Sequence, residues 1–283
     1  MKKILVTTDF SVAGSNAVEY AASMANYYNS SLILLHAYQS PIYYTVDMPL
    51  SIIEETEKMV LEEAINKIKS IQSELSMKYP GLSVKPMVEK GLIGETAARI
   101  ANDANADVTV AGTTGASGIE QVILGSSAME IVKRANNMVL LIPHNCHFKP
   151  YDKIVFATDL NKQHLMQYRQ LDSIIEKGNP ELCFLFVDAT IHSDSELLDE
   201  KMSELIKENV PYPVKSGFIS TDQNIEHGIN EFLLESDADL LVMVNEPLRF
   251  PESLFHRSHT KRISKKISKP LLTLKPSPVV LTA

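Results

Sequence analysis

The chain has 283 residues, 45% of them hydrophobic and 22% charged, and a formal net charge of −8. That length suits one large domain or two of common size; the composition excludes disorder, and the negative balance argues against a general nucleic-acid binder. No run approaches the ~18 to 20 apolar residues of a membrane span, the N-terminal run is too short for a secretory signal, and two cysteines, Cys146 and Cys183, make no disulfide framework, so the expectation is a soluble cytoplasmic protein.

Lys3 to Thr7 is a short apolar run suited to a strand buried on both faces. Asp9 and Ser11 follow, residue types that favour turns and helix caps. A helix is predicted over Asn16 to Tyr28, with Ala17, Ala21, Met24 and Tyr28 on one face. Ser31 to Ala37 reads as a second strand. After a loop with Pro41 and Pro49, Glu54 to Lys78 reads as a long helix with Val60, Ala64, Ile68, Ile71 and Leu75 inward. Ser83 to Glu89 alternates more than the other strands, as an edge strand does. A short helix over Glu95 to Ala104 precedes the strand Val108 to Ala111. The helix after it runs from Ser127 to Ala135, and a fifth strand, Met138 to Ile142, stops at Pro143. Strands alternating with helices predict a parallel, doubly wound α/β sheet.

Between the fourth strand and the next helix lies VTVAGTTGASGIEQVILGSS, Val108 to Ser127. Glycine has no Cβ, so backbone N–H groups can approach an anion closely. A helix start adds unpaired donors and a partial positive charge. A strand, a glycine turn and Gly-Ser at a helix start therefore make a plausible phosphate cradle, although glycines also serve simply as turn residues. The stretch is not a Walker A loop, because Gly125 is followed by Ser126 and Ser127 with no lysine. Nor is it the dinucleotide fingerprint, which follows the first strand of its sheet. Here the first strand ends in Thr8, Asp9 and Phe10. By itself Asp9 reads as a helix cap before it reads as a ligand contact.

The spacing Gly-x2-Gly-x9-Gly-Ser after a late strand, with Thr-Asp closing the first strand, resembles the universal stress proteins. The resemblance spans the whole chain as a tandem pair and is weaker in the second copy. It implies a Rossmann-like strand order 3-2-1-4-5, with ATP or another adenine nucleotide (ADP or AMP) across strands one and four. Thr8 and Asp9 would lie near ribose and adenine. Ala37 would offer backbone groups to the adenine edge, and Gly112, Thr113, Gly115, Gly125, Ser126 and Ser127 would hold the phosphates. With no lysine in the loop, magnesium is expected to accompany a bound triphosphate, held mainly by phosphate oxygens and water.

From Tyr151 the chain repeats itself. YDKIVFATDLN echoes MKKILVTTDFS, placing Thr158 and Asp159 against Thr8 and Asp9. Glu181 to Asp188 echoes the second strand, Ala238 to Val244 echoes Ala106 to Gly112, and Ser268 to Leu274 echoes Asn136 to Ile142. The long helix is shorter here, around Ser195 to Glu208. Such similarity is a duplication, with domains expected at 1–143 and 151–283, two five-stranded sheets packed as a pseudo-twofold pair. The glycine loop is gone from the second copy. Val244, Pro247 and Arg257 stand opposite Gly112, Gly115 and Gly125, so the second domain is expected to be structural or partner-binding.

Other constellations are weaker. His256 and His259 lie three apart amid the basic residues Arg249, Arg257, Lys261, Arg262, Lys265, Lys266 and Lys269. A metal site there lacks a third ligand fixed by spacing, and the cluster reads as a solvated face or an anion-binding one. His144, Cys146 and His147 make only half of a zinc pattern. No catalytic nucleophile stands out. The function expected is regulatory, with nucleotide occupancy changing the affinity for a protein partner, and a homodimer is compatible with it. The alternatives are a weak ATPase or phosphoryl-transfer enzyme, and a nucleotide-independent scaffold acting through the basic surface around Arg257.

Overall fold

The apolar run Lys3–Thr7 forms strand β1, with Ile4, Leu5 and Val6 fully buried, as a strand covered on both faces requires. The computed structural model describes residues 1–39, 50–113, 125–189, 195–212, 215–244 and 269–275. Two compact units divide the chain, the first ending at Phe148 and the second taking over at Lys149.

In the first unit β1 is followed by helix α1 (Val12–Tyr28), β2 (Ser31–Tyr38), α2 (Leu50–Lys78), β3 (Val84–Lys90), α3 (Ile93–Ala104), β4 (Val108–Gly112), α4 (Ser126–Arg134) and β5 (Met138–Ile142). The strands run in the order β3-β2-β1-β4-β5, and every pairing is parallel. This is the 3-2-1-4-5 order that the resemblance implies. β3 is half-exposed along most of its length, matching its place at the edge. Helix α1 begins earlier than the expected Asn16 because the Ser11 hydroxyl accepts the Gly14 N–H at 3.0 Å. It ends where Asn29 takes the left-handed conformation, φ 52°, which asparagine tolerates better than most residues. Ala64, Ile68 and Leu75 of α2 are buried, whereas Val60 and Ile71 are half-buried.

The second unit repeats the plan with β6 (Lys153–Ala157), β7 (Glu181–Asp188), α7 (Ser195–Asn209), β8 (Lys215–Thr221), α8 (Ile225–Glu235), β9 (Leu240–Val244) and β10 (Leu271–Leu274). Its order, β10-β9-β6-β7-β8, is that of the first unit read from the other end, again wholly parallel. The counterpart of α1 is broken into α5 (Lys162–Leu165), a 3-10 stretch at Met166–Leu171, and α6 (Asp172–Gly178).

The same small devices fix both units. Asp107 Oδ2 accepts the N–H groups of Lys2 and Lys3 at 2.6 and 2.9 Å. Asp239 Oδ2 accepts those of Asp152 and Lys153 at 2.8 and 3.0 Å. Each aspartate satisfies donors at the start of its first strand that would otherwise go unpaired. Among the described residues no helix is long and apolar enough to cross a membrane.

Candidate functional site

β1 ends in a turn built by its own side chains. Thr8 Oγ1 accepts the Phe10 N–H at 3.1 Å, and Asp9 Oδ1 accepts the Ser11 N–H at 3.0 Å. Phe10 sits at φ 63°, a left-handed conformation that a bulky residue rarely adopts. His36 supports the turn by donating Nδ1–H to the Thr8 carbonyl at 2.8 Å, with its ring 4.2 Å from that of Phe10. The helix cap read at Asp9 falls instead to Ser11, which Asp9 Oδ1 holds in the turn, and the Asp9 carboxylate also lines a cavity.

That cavity, about 480 Å³, lies at the carboxyl ends of β1, β2 and β4 and at the start of α4. A crevice where the strand order reverses is the general ligand position of an open α/β sheet. It gathers Thr8, Asp9, Ala37, Gly112, Gly125, Ser126 and Ser127. Thr113 is buried just behind, outside the lining. Its N–H goes to the Ile142 carbonyl at 3.1 Å, and its own carbonyl takes the Gly125 N–H at 2.6 Å. The Thr113 hydroxyl has no hydrogen-bond partner among the described residues. Gly115 lies outside the described residues, as do His256, His259, Pro247, Arg257 and the basic cluster around it except Lys269, whose Nζ lies 3.3 Å from Asp237 Oδ1.

The start of α4 gives the cavity its polarity. Gly125 is the N-cap and supplies no side chain to the first turn, which also contains no acid. The N–H groups of Ser126, Ser127 and Ala128 precede the first helical bond, Met129 N–H to Gly125 carbonyl. Donors at that position have no partner within the helix. All three residues line the cavity. The helices α1 and α8, by contrast, are capped by Ser11 and Asn224. Gly125 has φ −61° and ψ 151°, open to any residue, so its backbone does not demand glycine.

Gly112 is glycine for packing. A Cβ there would lie 2.9 Å from the Ala13 carbonyl oxygen, so its absence lets the end of β4 meet the first turn of α1. Gly14 is a site residue that sequence reasoning missed. A Cβ on it would sit 2.5 Å from Asp9 Oδ1, so glycine keeps space open beside the carboxylate. Gln39, Gly91, Ile93, Ala111, Ala128 and Ile131 also line the cavity. The signal for Gly14 is visible only when the two copies are aligned on Thr-Asp, which puts His164 opposite it.

In the second unit the turn is preserved. Thr158 Oγ1 accepts the Leu160 N–H at 3.1 Å, Asp159 Oδ1 accepts the Asn161 N–H at 3.0 Å, and Leu160 has φ 61°. The surroundings differ. His164 Nδ1 lies 3.0 to 3.1 Å from the two Asp159 carboxylate oxygens. Strand registers put Phe186 and Val187 where the first unit has His36 and Ala37, and Met243 and Val244 where it has Ala111 and Gly112. In the linker, His144, Cys146 and His147 belong to no group of three side chains able to hold a metal among the described residues.

The model of the family described as "Universal stress protein family" matches residues 1–143. Among curated proteins, a universal stress protein of Methanocaldococcus jannaschii is 28% identical over 154 residues, covering 50% of this chain and 94% of the relative. A putative universal stress protein of Staphylococcus aureus is 26% identical over 141 residues, covering 50% and 83%. Among solved structures, a universal stress protein from Archaeoglobus fulgidus superposes with a TM-score of 0.68 at 15% identity, covering 97% of this chain and 98% of that one. A putative universal stress protein from Pseudomonas aeruginosa gives 0.58 at 15% identity, covering 98% and 94%. At that identity the two structures speak for the fold.

Proposed function

We propose, from the premise that the chain belongs to the universal stress protein family, that its first unit binds an adenine nucleotide and acts as a regulatory module. The observation that carries this reading is one cavity lined by two chemically different groups. They are the start of α4, where the N–H groups of Ser126, Ser127 and Ala128 have no partner within the helix, and the Thr8–Asp9 turn. Donors at a helix start suit phosphate, and a carboxylate suits ribose hydroxyls, as in other nucleotide crevices. Ala37, at the end of β2, leaves backbone groups within reach of a flat base. A volume of about 480 Å³ is in the range of small-ligand sites.

ATP, ADP and AMP all fit this chemistry. For the triphosphate, Asp9 is the only carboxylate among the described lining residues. That suits a magnesium ion that keeps its waters and is held mainly by phosphate oxygens. No arginine or lysine lines the cavity among the described residues, so nothing there offers a positive side chain to a phosphoryl-transfer transition state. The reading is therefore of a module that holds nucleotide and changes a partner's affinity, which requires different contacts in the bound and free states. The second unit serves as a structural or partner-binding element.

Mass spectrometry of ligand released from freshly purified protein tests the assignment, with a magnesium-dependent ATPase assay beside it. The expected outcome is an adenine nucleotide in the released fraction and turnover well below about one per second, the low end of ordinary enzyme rates. No nucleotide in that fraction together with no measurable ATP affinity would favour the scaffold alternative. Faster turnover would move the protein into the enzyme class.

A further inference from the structure

The second unit has a cavity of its own, about 520 Å³, at the carboxyl ends of β6, β7 and β9 and the start of α8. Its position in the unit matches that of the first cavity, but its lining is mostly hydrocarbon. Phe186, Val187, Met243 and Val244 replace a histidine, two alanines and a glycine, and Ile225 and Ile229 of α8 complete the wall. Gly228 lies between those two isoleucines on α8. A Cβ on it would come 2.7 Å from Val187 Cγ1, so the helix can lie close to β7 and bring both isoleucines to the cavity.

The polar groups are gathered on one side, as Thr158, Asp159 and His164. The Asp159 side chain is 42% exposed and that of His164 15%. A carboxylate offers about four lone-pair sites. The Asn161 N–H and the His164 ring account for two or three of them, so Asp159 retains acceptor capacity. No lysine or arginine lines the cavity among the described residues. An apolar pocket with a few convergent polar groups is the usual form of a small-molecule site. Here one of those polar groups is the Asp159 carboxylate.

We propose that this cavity binds a small apolar amine, its hydrocarbon or aromatic body against Phe186, Val187, Ile229 and Met243 and its N–H donors on the Asp159 carboxylate. This assignment does not rest on nucleotide binding in the first unit and survives its failure.

The test uses the full chain and two probes with the same ring and opposite heads, tryptamine and indole-3-propionate. The protein contains no tryptophan, so indole fluorescence anisotropy reports the probe alone. Saturable tryptamine binding is expected, about tenfold or more tighter than binding of the acid. It should weaken about tenfold in Asp159→Asn, which loses the charge-assisted bond. Asparagine keeps an acceptor for the Asn161 N–H, and circular dichroism checks the fold. Three results would overturn the proposal. One is no saturable tryptamine binding by the native chain up to about 10 mM, a generous ceiling for so small a ligand. Another is equal affinity for amine and acid, which needs no variant. The third is affinity unchanged in a folded Asp159→Asn, which would put the amine elsewhere.

Discussion

In the first unit Gly14 leaves room beside the Asp9 carboxylate; in the second, His164 stands in that place and holds the Asp159 carboxylate with its ring. The turns beneath are the same, down to a non-glycine residue at φ 63° or 61°. The Thr-Asp pair is thus first a folding device, closing the first strand and leading into a helix, and it persists whether or not the space above it is kept open. Among the described residues, what separates the two cavities is the set of side chains around that turn. Small residues at 14, 37, 111 and 112 line the first, whereas His164, Val187, Met243 and Val244 line the second. A duplicated fold can therefore keep its scaffold and change what its crevice accepts.

The largest effect is expected from moving one residue of that set. Gly14→His puts into the first unit what the second already has, and its Cβ alone would press on Asp9 Oδ1. ATP affinity measured by calorimetry should fall about a hundredfold or beyond detection, with the helical content of the protein retained. Undiminished affinity in a folded variant would break the comparison, since Gly14 would then have no bearing on the ligand.

A smaller loss is expected at the phosphate end. Gly125→Val keeps an allowed backbone, because φ −61° and ψ 151° suit any residue. It sets a branched side chain beside the N–H groups of Ser126 and Ser127. Affinity should drop about tenfold or more with little change in unfolding temperature. A large fall in unfolding temperature would mark Gly125 as a packing residue like Gly112.

The smallest effect concerns the scaffold shared by both units. Burial alone would raise the Asp239 carboxyl. The Lys149 ammonium at 2.7 Å and the N–H groups of Lys153 and Asp152 outweigh it, and hold the group below the usual carboxylate range. A folded-state pKa lowered in this way stabilises the fold at pH values above the unfolded pKa. The contribution is lost as pH falls through the folded value. Asp239→Asn should therefore cost about 1 kcal/mol at neutral pH and progressively less in acid, read from denaturant unfolding at several pH values. A cost independent of pH would show that only the hydrogen bonds, and not the charge, hold the start of β6.

Most of the fold was legible because apolar runs and capping residues are local signals. β1, β5 and β7 occupy the residues their hydrophobic runs indicate, and helix starts were misjudged where a cap such as Ser11 lies ahead of the periodic stretch. The broken first helix of the second unit leaves no such mark, since Met166–Leu171 reads as ordinary helical sequence. At the candidate site, Thr8, Asp9, Ala37, Gly112, Gly125, Ser126 and Ser127 share one cavity because they all end strands or begin a helix on one side of the sheet. Thr113, one residue past Gly112, is turned into the interior. Gly14 escaped notice because its role is the absence of a side chain next to a carboxylate five positions away, a relation that only the fold of the turn creates. The reason for Gly112 was also hidden, as Ala13 meets it only in three dimensions.

Calorimetric titration of the intact chain with ATP in the presence of magnesium tests most directly the claim that the two cavities differ in kind. The account predicts one ATP site per chain, lost in Gly14→His and kept in Asp159→Asn. Two ATP sites per chain, or a single one that survives Gly14→His in a folded protein, would contradict it.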